Sequence, residues 1–194
     1  MKYEVTSQNT RKMFAEALKK RMENQPFNKI KISDITSDCK VNRKTFYYHF
    51  NDIYALLKWT FNQEAIDIVK HYDLLTNMQD AIIFVIGYIE ENKKILKCAL
   101  DFIGPLELKK IFYKDFFAIV HLYVGRCMEE KKYKISADFI SFLCNGYAEL
   151  IAGLIIDESF YEGKIDKQKI VTYITTIIDS SISAVLQSAQ KKEM

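Results

Sequence analysis

No segment of this 194-residue chain strictly alternates apolar and polar positions, while apolar residues recur at three- and four-residue spacing from end to end. That is the period of a helix with one buried face, not of a strand. The punctuation agrees, because only 6 Gly and 2 Pro interrupt the chain, favouring long helices over tight turns. The expected fold class is all-α, with about nine helices.

Phe14, Ala17, Leu18 and Met22 share one face of a first helix over about 6–24, which Pro26 ends. Short helices are expected at 33–39 and 43–50. A longer one follows, capped by Asn51 or Asp52, with Ile53, Leu56, Leu57, Phe61, Ala65 and Ile68 as its stripe. Thr76 and Gln79 make a capping-box pattern for a helix reaching about residue 100. "DFIGPLE" then breaks the chain, and Pro105 suits the first turn of a helix over 105–130. Two strongly apolar helices close the chain, at about 137–158 and 166–190. A domain boundary is expected at 52/53, between a small head of short helices and a larger helical body.

Charge divides the chain in the same way. Residues 1–60 hold 12 Lys/Arg against 6 Asp/Glu, whereas the rest holds 16 against 19. A basic head on a slightly acidic body points the head toward a polyanion. The longest apolar runs, such as "AIIFVIGYI" (81–89), read as too short to span a bilayer, and the N-terminal stretch lacks the apolar core of a signal peptide. The expectation is a cytoplasmic protein with no membrane partner. Cys39, Cys98, Cys127 and Cys144 are too widely spaced for a metal motif and read as free thiols. His49, His71 and His121 do not cluster, and no nucleophile–base spacing suggests catalysis. The chain therefore reads as a non-enzyme without cofactor or metal.

The stretch "NRKTFYYHFND" (42–52) carries the functional signal. On a helix, Phe46 and Phe50 fall on one face, Lys44 and Tyr48 point away from it, and Thr45 and Tyr47 flank the outer side. Asn42 stands where an N-cap oxygen is wanted, and it is also counted, with Lys31, among the residues expected to contact DNA. Preceded by "SDITSDCKV", the whole reads as helix, short turn, helix, with Ile35, Val41 and Phe46 as anchors. A helix-turn-helix places its second helix in the major groove of duplex DNA. Arg and Lys there donate to guanine edges and Thr touches polar edges or a thymine methyl. Tyr hydroxyls and His49 suit phosphate oxygens, which fix register.

The segment "FNKIKISDITSDCKVNRKTFYYHFNDIYALL" (27–57) resembles the DNA-binding domain of TetR-family transcriptional regulators, most specifically through "TFYYHF". The resemblance covers about residues 10–60. It implies a homodimer that binds a near-palindromic double-stranded DNA operator, with a C-terminal domain for dimerization and for a small-molecule effector. Residue by residue it implies that Arg43, Lys44 and Thr45 read bases, that Tyr47, Tyr48 and His49 hold the backbone, and that Tyr48 also reaches bases. "RKTFYYHF" is similar to a branch that includes regulators of dihydroxyacetone kinase operons, some of which activate transcription on a signal from a partner protein. An effector-responsive repressor is the first expectation and a partner-controlled activator the second.

Three positions depart from the family pattern. Lys40 stands at the usual turn Gly, Lys31 at the usual capping Thr, and Ile53 at a Lys that touches phosphate in many relatives. Lys31 still reaches phosphate, with Ser33 or water serving the helix start. Lys40 and Ile53 favour a third reading, an effector-binding or interaction protein with weak DNA affinity. In the body, Trp59 is a candidate wall of an effector pocket. Gly146 and Gly153, two turns apart, together with Ile170, Ile174, Ile177, Ile178 and Val185 suggest a four-helix dimer interface.

Overall fold

The computed structural model describes residues 2–72, 78–162 and 166–193. All described secondary structure is helical: α1 (Lys2–Met22), a 3-10 turn (Phe27–Lys29), α2 (Ile32–Asp38), α3 (Arg43–His49), α4 (Ile53–Tyr72), α5 (Met78–Glu91), α6 (Lys93–Lys131), α7 (Ala137–Asp157), a π turn (Glu158–Glu162) and α8 (Lys167–Glu193). The described residues form eight α-helices where about nine were expected, and the expected boundaries shift most in the middle of the chain. The helix expected to run to residue 100 ends at Glu91, and a new one starts at Lys93. The break expected at "DFIGPLE" is a kink inside α6, where Gly104 takes φ 78, ψ 166, a region glycine enters without steric cost. Counting α6 as two segments across that kink restores nine. Asp52 caps α4, its Oδ1 accepting from the Ala55 N–H at 2.7 Å. Thr76, expected to cap α5, lies outside the described residues.

The chain divides into two compact units, Met1–Glu64 with Asn92–Ile111, and Ala65–Glu91 with Phe112–Met194. The first is wider than the head expected over 1–52, because it keeps the start of α4 and the beginning of α6. Its centre is Phe14, Leu18, Ile35, Phe46, Leu56, Leu57 and Phe61, all without solvent exposure. The α6 segment joins it through Phe102, whose ring lies 4.4 Å from that of Phe27, and through the Cys98 thiol, 3.5 Å from the Gln25 carbonyl oxygen to which it donates. All four cysteines are free, with Cys144 buried and the others half-buried.

In the second unit α8 packs against α5 and α7. Ile174, Ile178, Ile182 and Leu186 of α8 meet a core that includes Met78, Ile82, Val120, Val124, Ala148 and Ile151. Polar ties sit at the margins: Tyr147 donates to Ser181 Oγ at 2.7 Å and Tyr123 to Asp179 Oδ1 at 2.7 Å.

Asp115 stands out in this unit. Its Oδ2 is buried with no hydrogen-bond partner among the described residues, and burial pushes the carboxyl up to about 7. The fold thus favours the neutral acid, so stability is complete below about pH 4 and is lost as pH rises toward 7. Asp115→Asn is expected to stabilise the protein by about 1–3 kcal/mol at pH 8, allowing for partial solvent screening. It should change little at pH 4. Unfolding midpoints at both pH values check this, and a gain that is the same at the two values would refute it.

Candidate nucleic-acid interface

The second helix of the head is set by its cap. Asn42 accepts the Thr45 N–H at 2.9 Å and the Thr45 hydroxyl at 3.2 Å, both through Oδ1. The side chain expected to touch DNA is therefore first of all the device that starts α3. Phe46 then enters the core edge-on to Phe14 at 5.3 Å, with Phe50 at 5.8 Å behind it. Seven residues are too few to hold as an isolated helix in water, so α3 exists because this aromatic face is buried. Trp59 packs edge-on to Phe50 at 5.8 Å, so its indole serves the head's aromatic core.

The turn before α3 explains Lys40. Val41 N–H reaches back to the Thr36 carbonyl and Lys40 N–H to that of Ser37, both at 3.0 Å. This is a Schellman pairing, and it needs a left-handed residue at position 40. Lys40 has φ 53, a conformation that costs a non-glycine residue roughly 1–2 kcal/mol. The departure from the family pattern is thus accommodated in backbone, with the ammonium left exposed.

Lys31 is the N-cap of α2 through its backbone, and its side chain makes no cap bond. Asp34 completes the start instead, accepting the Lys31 N–H at 3.1 Å. That corrects the expectation that Ser33 or water serves this end. Ile53 is half-buried at the first position of α4.

The fold brings the outer face together as expected. Arg43 and Lys44 are exposed, as are Tyr47 (55%) and Tyr48 (75%). Thr45 is half-buried, its hydroxyl hydrogen held by Asn42 and its lone pairs still able to accept. His49 is half-buried. Its Nδ1 lies 3.5 Å from Ser7 Oγ, and burial, with Arg11's charge adding, holds its pKa below the ordinary value. Lys31, Lys40, Arg43 and Lys44 supply the exposed positive charge around α2 and α3.

Sequence reasoning missed one element of the site. Arg21, in the last turn of α1, grips Asp38 of α2 with Nε–Oδ2 at 2.6 Å and Nη2–Oδ1 at 2.8 Å. Nothing local in the sequence signals a pair separated by 17 residues. Among the described residues no group of three His, Cys, Asp or Glu is placed to hold a metal ion.

Comparison with known proteins agrees with this geometry. No family model matches the chain. The HTH-type dhaKLM operon transcriptional activator DhaS of Lactococcus lactis is 29% identical over 84 residues, 43% of this chain and 45% of that protein. The match therefore spans less than half of the relative's length. Among solved structures, the dihydroxyacetone kinase operon activator DhaS superimposes with TM-score 0.69 and 22% identity, over 90% of this chain and 97% of that one. The fatty acid degradation regulator FadR from Bacillus halodurans gives TM-score 0.60 at 14% identity, over 87% and 93%. A chain from Mesorhizobium loti described as a TetR-family transcriptional regulator gives 0.56 at 12%, over 92% and 97%. The chain shares its fold with these three solved structures.

Proposed function

We propose that this TetR-like, DhaS-related regulator binds duplex DNA through α3 as a homodimer and controls transcription from a near-palindromic operator. The observation that carries the reading is the two-sided α3. A buried aromatic face fixes the helix, while Arg43, Lys44, Tyr47 and Tyr48 stand exposed on a basic head.

Dimerization is supported by α7 and α8. Phe142, 77% exposed, lies on one face of α7 with Gly146, Glu149 and Gly153. Tyr173 and Ile177 are exposed on α8, in line with Ser180 and Ala184. The outward stripe differs from the one read in the sequence, because Ile170, Ile174 and Ile178 are buried within the protomer, Val185 is half-buried, and Ile177 alone of the five is exposed. The sequence expectation that apolar stretches are too short for a bilayer does not hold for these helices. The stretches Ala137–Phe160 and Gln168–Lys191 are long and apolar enough to cross one. A second copy of the chain accounts for the same apolar surface, with small residues permitting close approach.

In the simplest mechanism an effector binds best to a dimer whose head spacing misfits the operator, and differential affinity shifts the population. That is repression relieved by ligand. The likeness to DhaS, an activator, favours a second reading, activation under control of a partner protein. A reporter fused to the selected operator separates them: deleting the regulator raises transcription under the first and lowers it under the second.

The direct test is selection of bound sequences from random duplex DNA with the purified protein. A palindromic consensus is expected, and recovery of no enriched sequence would refute the reading. Affinity for the selected duplex should fall linearly with salt on logarithmic axes, with slope of about −0.9 per phosphate neutralised. Affinity that barely changes from low to physiological salt would remove the electrostatic footprint.

Lys44→Ala is expected to relax base preference and cost roughly 1–3 kcal/mol on the selected site, and Thr45→Ala to act likewise. Tyr47→Phe should weaken binding evenly across sequences, because a phosphate contact carries no sequence information. Equal losses on selected and random DNA for Lys44→Ala would end its role as a base reader.

A further inference from the structure

We infer that Arg21 is a positioning residue for DNA binding, acting by compensating the carboxylates that α2 carries toward the phosphates. The inference rests on the DNA-binding reading above and adds a residue outside the helix-turn-helix itself. Between residues 24 and 51 the only acidic side chains are Asp34 and Asp38, and both belong to α2. In a helix-turn-helix the first helix crosses the DNA backbone. Uncompensated carboxylates on such a helix would be repelled by the phosphate row, a repulsion that salt screens over a Debye length of about 8 Å at physiological strength.

Arg21 answers both. Its guanidinium makes the forked pair with Asp38, and its Nη2 donates to the Asp34 carbonyl oxygen at 3.3 Å. Nη1 lies 4.0 Å from Asp34 Oδ2. The Asp38 carboxyl is held below its ordinary range, first by the hydrogen bond from Arg21, so it stays ionised and paired. Such a fork needs two parallel N–H donors on a planar group, which lysine lacks. Asp34 is also engaged with the Lys31 N–H, so one guanidinium and one backbone donor together occupy the acidic side of α2. The pair is partly exposed, and its contribution to fold stability is small. Its consequence is electrostatic: removing Arg21 presents a bare Asp38 to the polyanion.

The test uses the full-length chain and a duplex selected from the random pool by the wild type. Affinity is measured across salt for wild type, Arg21→Gln, Arg21→Lys and the double variant Arg21→Gln/Asp38→Asn, with thermal unfolding of each. Arg21→Gln is expected to lose about tenfold in affinity at low salt without losing the fold. Arg21→Lys should lose less. The double variant, neutral at both positions, should return to within about threefold of wild type. A merely structural clamp would leave the double variant as weak as Arg21→Gln, and that result overturns the inference. So does an Arg21→Gln variant that binds as wild type does. So does a salt slope lowered by about one without rescue, which would make Arg21 a direct phosphate ligand. A wild-type protein that selects no duplex overturns the functional reading itself, a result distinct from all of these.

Discussion

Phe46→Ala is expected to cost about 3–5 kcal/mol and to abolish DNA binding with it. Phe46 has no solvent exposure, and its ring meets Phe14 and Phe50 edge-on or tilted within 6 Å. Deleting it removes the buried side chain that packs the middle of α3 on α1, and a seven-residue helix has no stability of its own to fall back on. Domains of this size are stable by only about 5–15 kcal/mol, so the loss is a large share of the total. The protein carries its own reporter, because Trp59 is the single tryptophan and packs on Phe50. Denaturant unfolding followed by indole fluorescence should show the midpoint falling sharply. Tyr48→Ala, at an exposed neighbour, should move the midpoint by less than about 0.5 kcal/mol. A Phe46→Ala midpoint as high as that of Tyr48→Ala would show that α3 is held by something else.

How much of this was legible follows from the range over which each feature is decided. The α3 segment was readable because the signals that mark it lie within eleven residues: the left-handed position Lys40, the Asn42 cap, and Phe46 and Phe50 one turn apart. The helical class was readable for the same reason, since periodicity is local. The extent of the first unit was not. α4 runs from Ile53 to Tyr72 while the unit ends at Glu64, so a boundary falls inside a continuous helix with no sequence break to mark it. The return of 92–111 to that unit depends on Phe102 meeting Phe27 and Cys98 meeting Gln25, contacts over more than 70 residues. The start of α6 at Lys93 falls within "EENKK" (90–94), which contains neither Gly nor Pro. Arg21 and Asp38 meet because α1 and α2 cross, a tertiary fact. Among the α8 isoleucines, a wide apolar stripe marked the helix but could not divide inner from outer positions, since both faces use the same residue type.

Those outer positions make the last prediction a sharp one. Gly153→Leu should weaken dimerization and operator binding together while leaving the protomer as stable as before, or more so. A Cβ added at Gly153 meets nothing within 4 Å, and the same is true at Gly146. Neither glycine is therefore required by packing inside the chain, although each costs a helix interior about 1 kcal/mol relative to Ala. Leucine at 153 removes that cost. If a second copy lies against this face, the added side chain instead overpacks the contact and costs on the order of 1–3 kcal/mol of association. Operator affinity must follow, because one recognition helix reads only a few base pairs and two coupled heads are needed for a specific site. The two effects separate in measurement. Thermal unfolding of dilute protein should hold or rise, whereas sedimentation across concentration should shift toward monomer and the operator titration should weaken in parallel. A Gly153→Leu protein that sediments and binds as wild type would place the dimer contact elsewhere on the chain. A wild type that stays monomeric at micromolar concentration, yet binds a palindrome tightly, would remove the need for one.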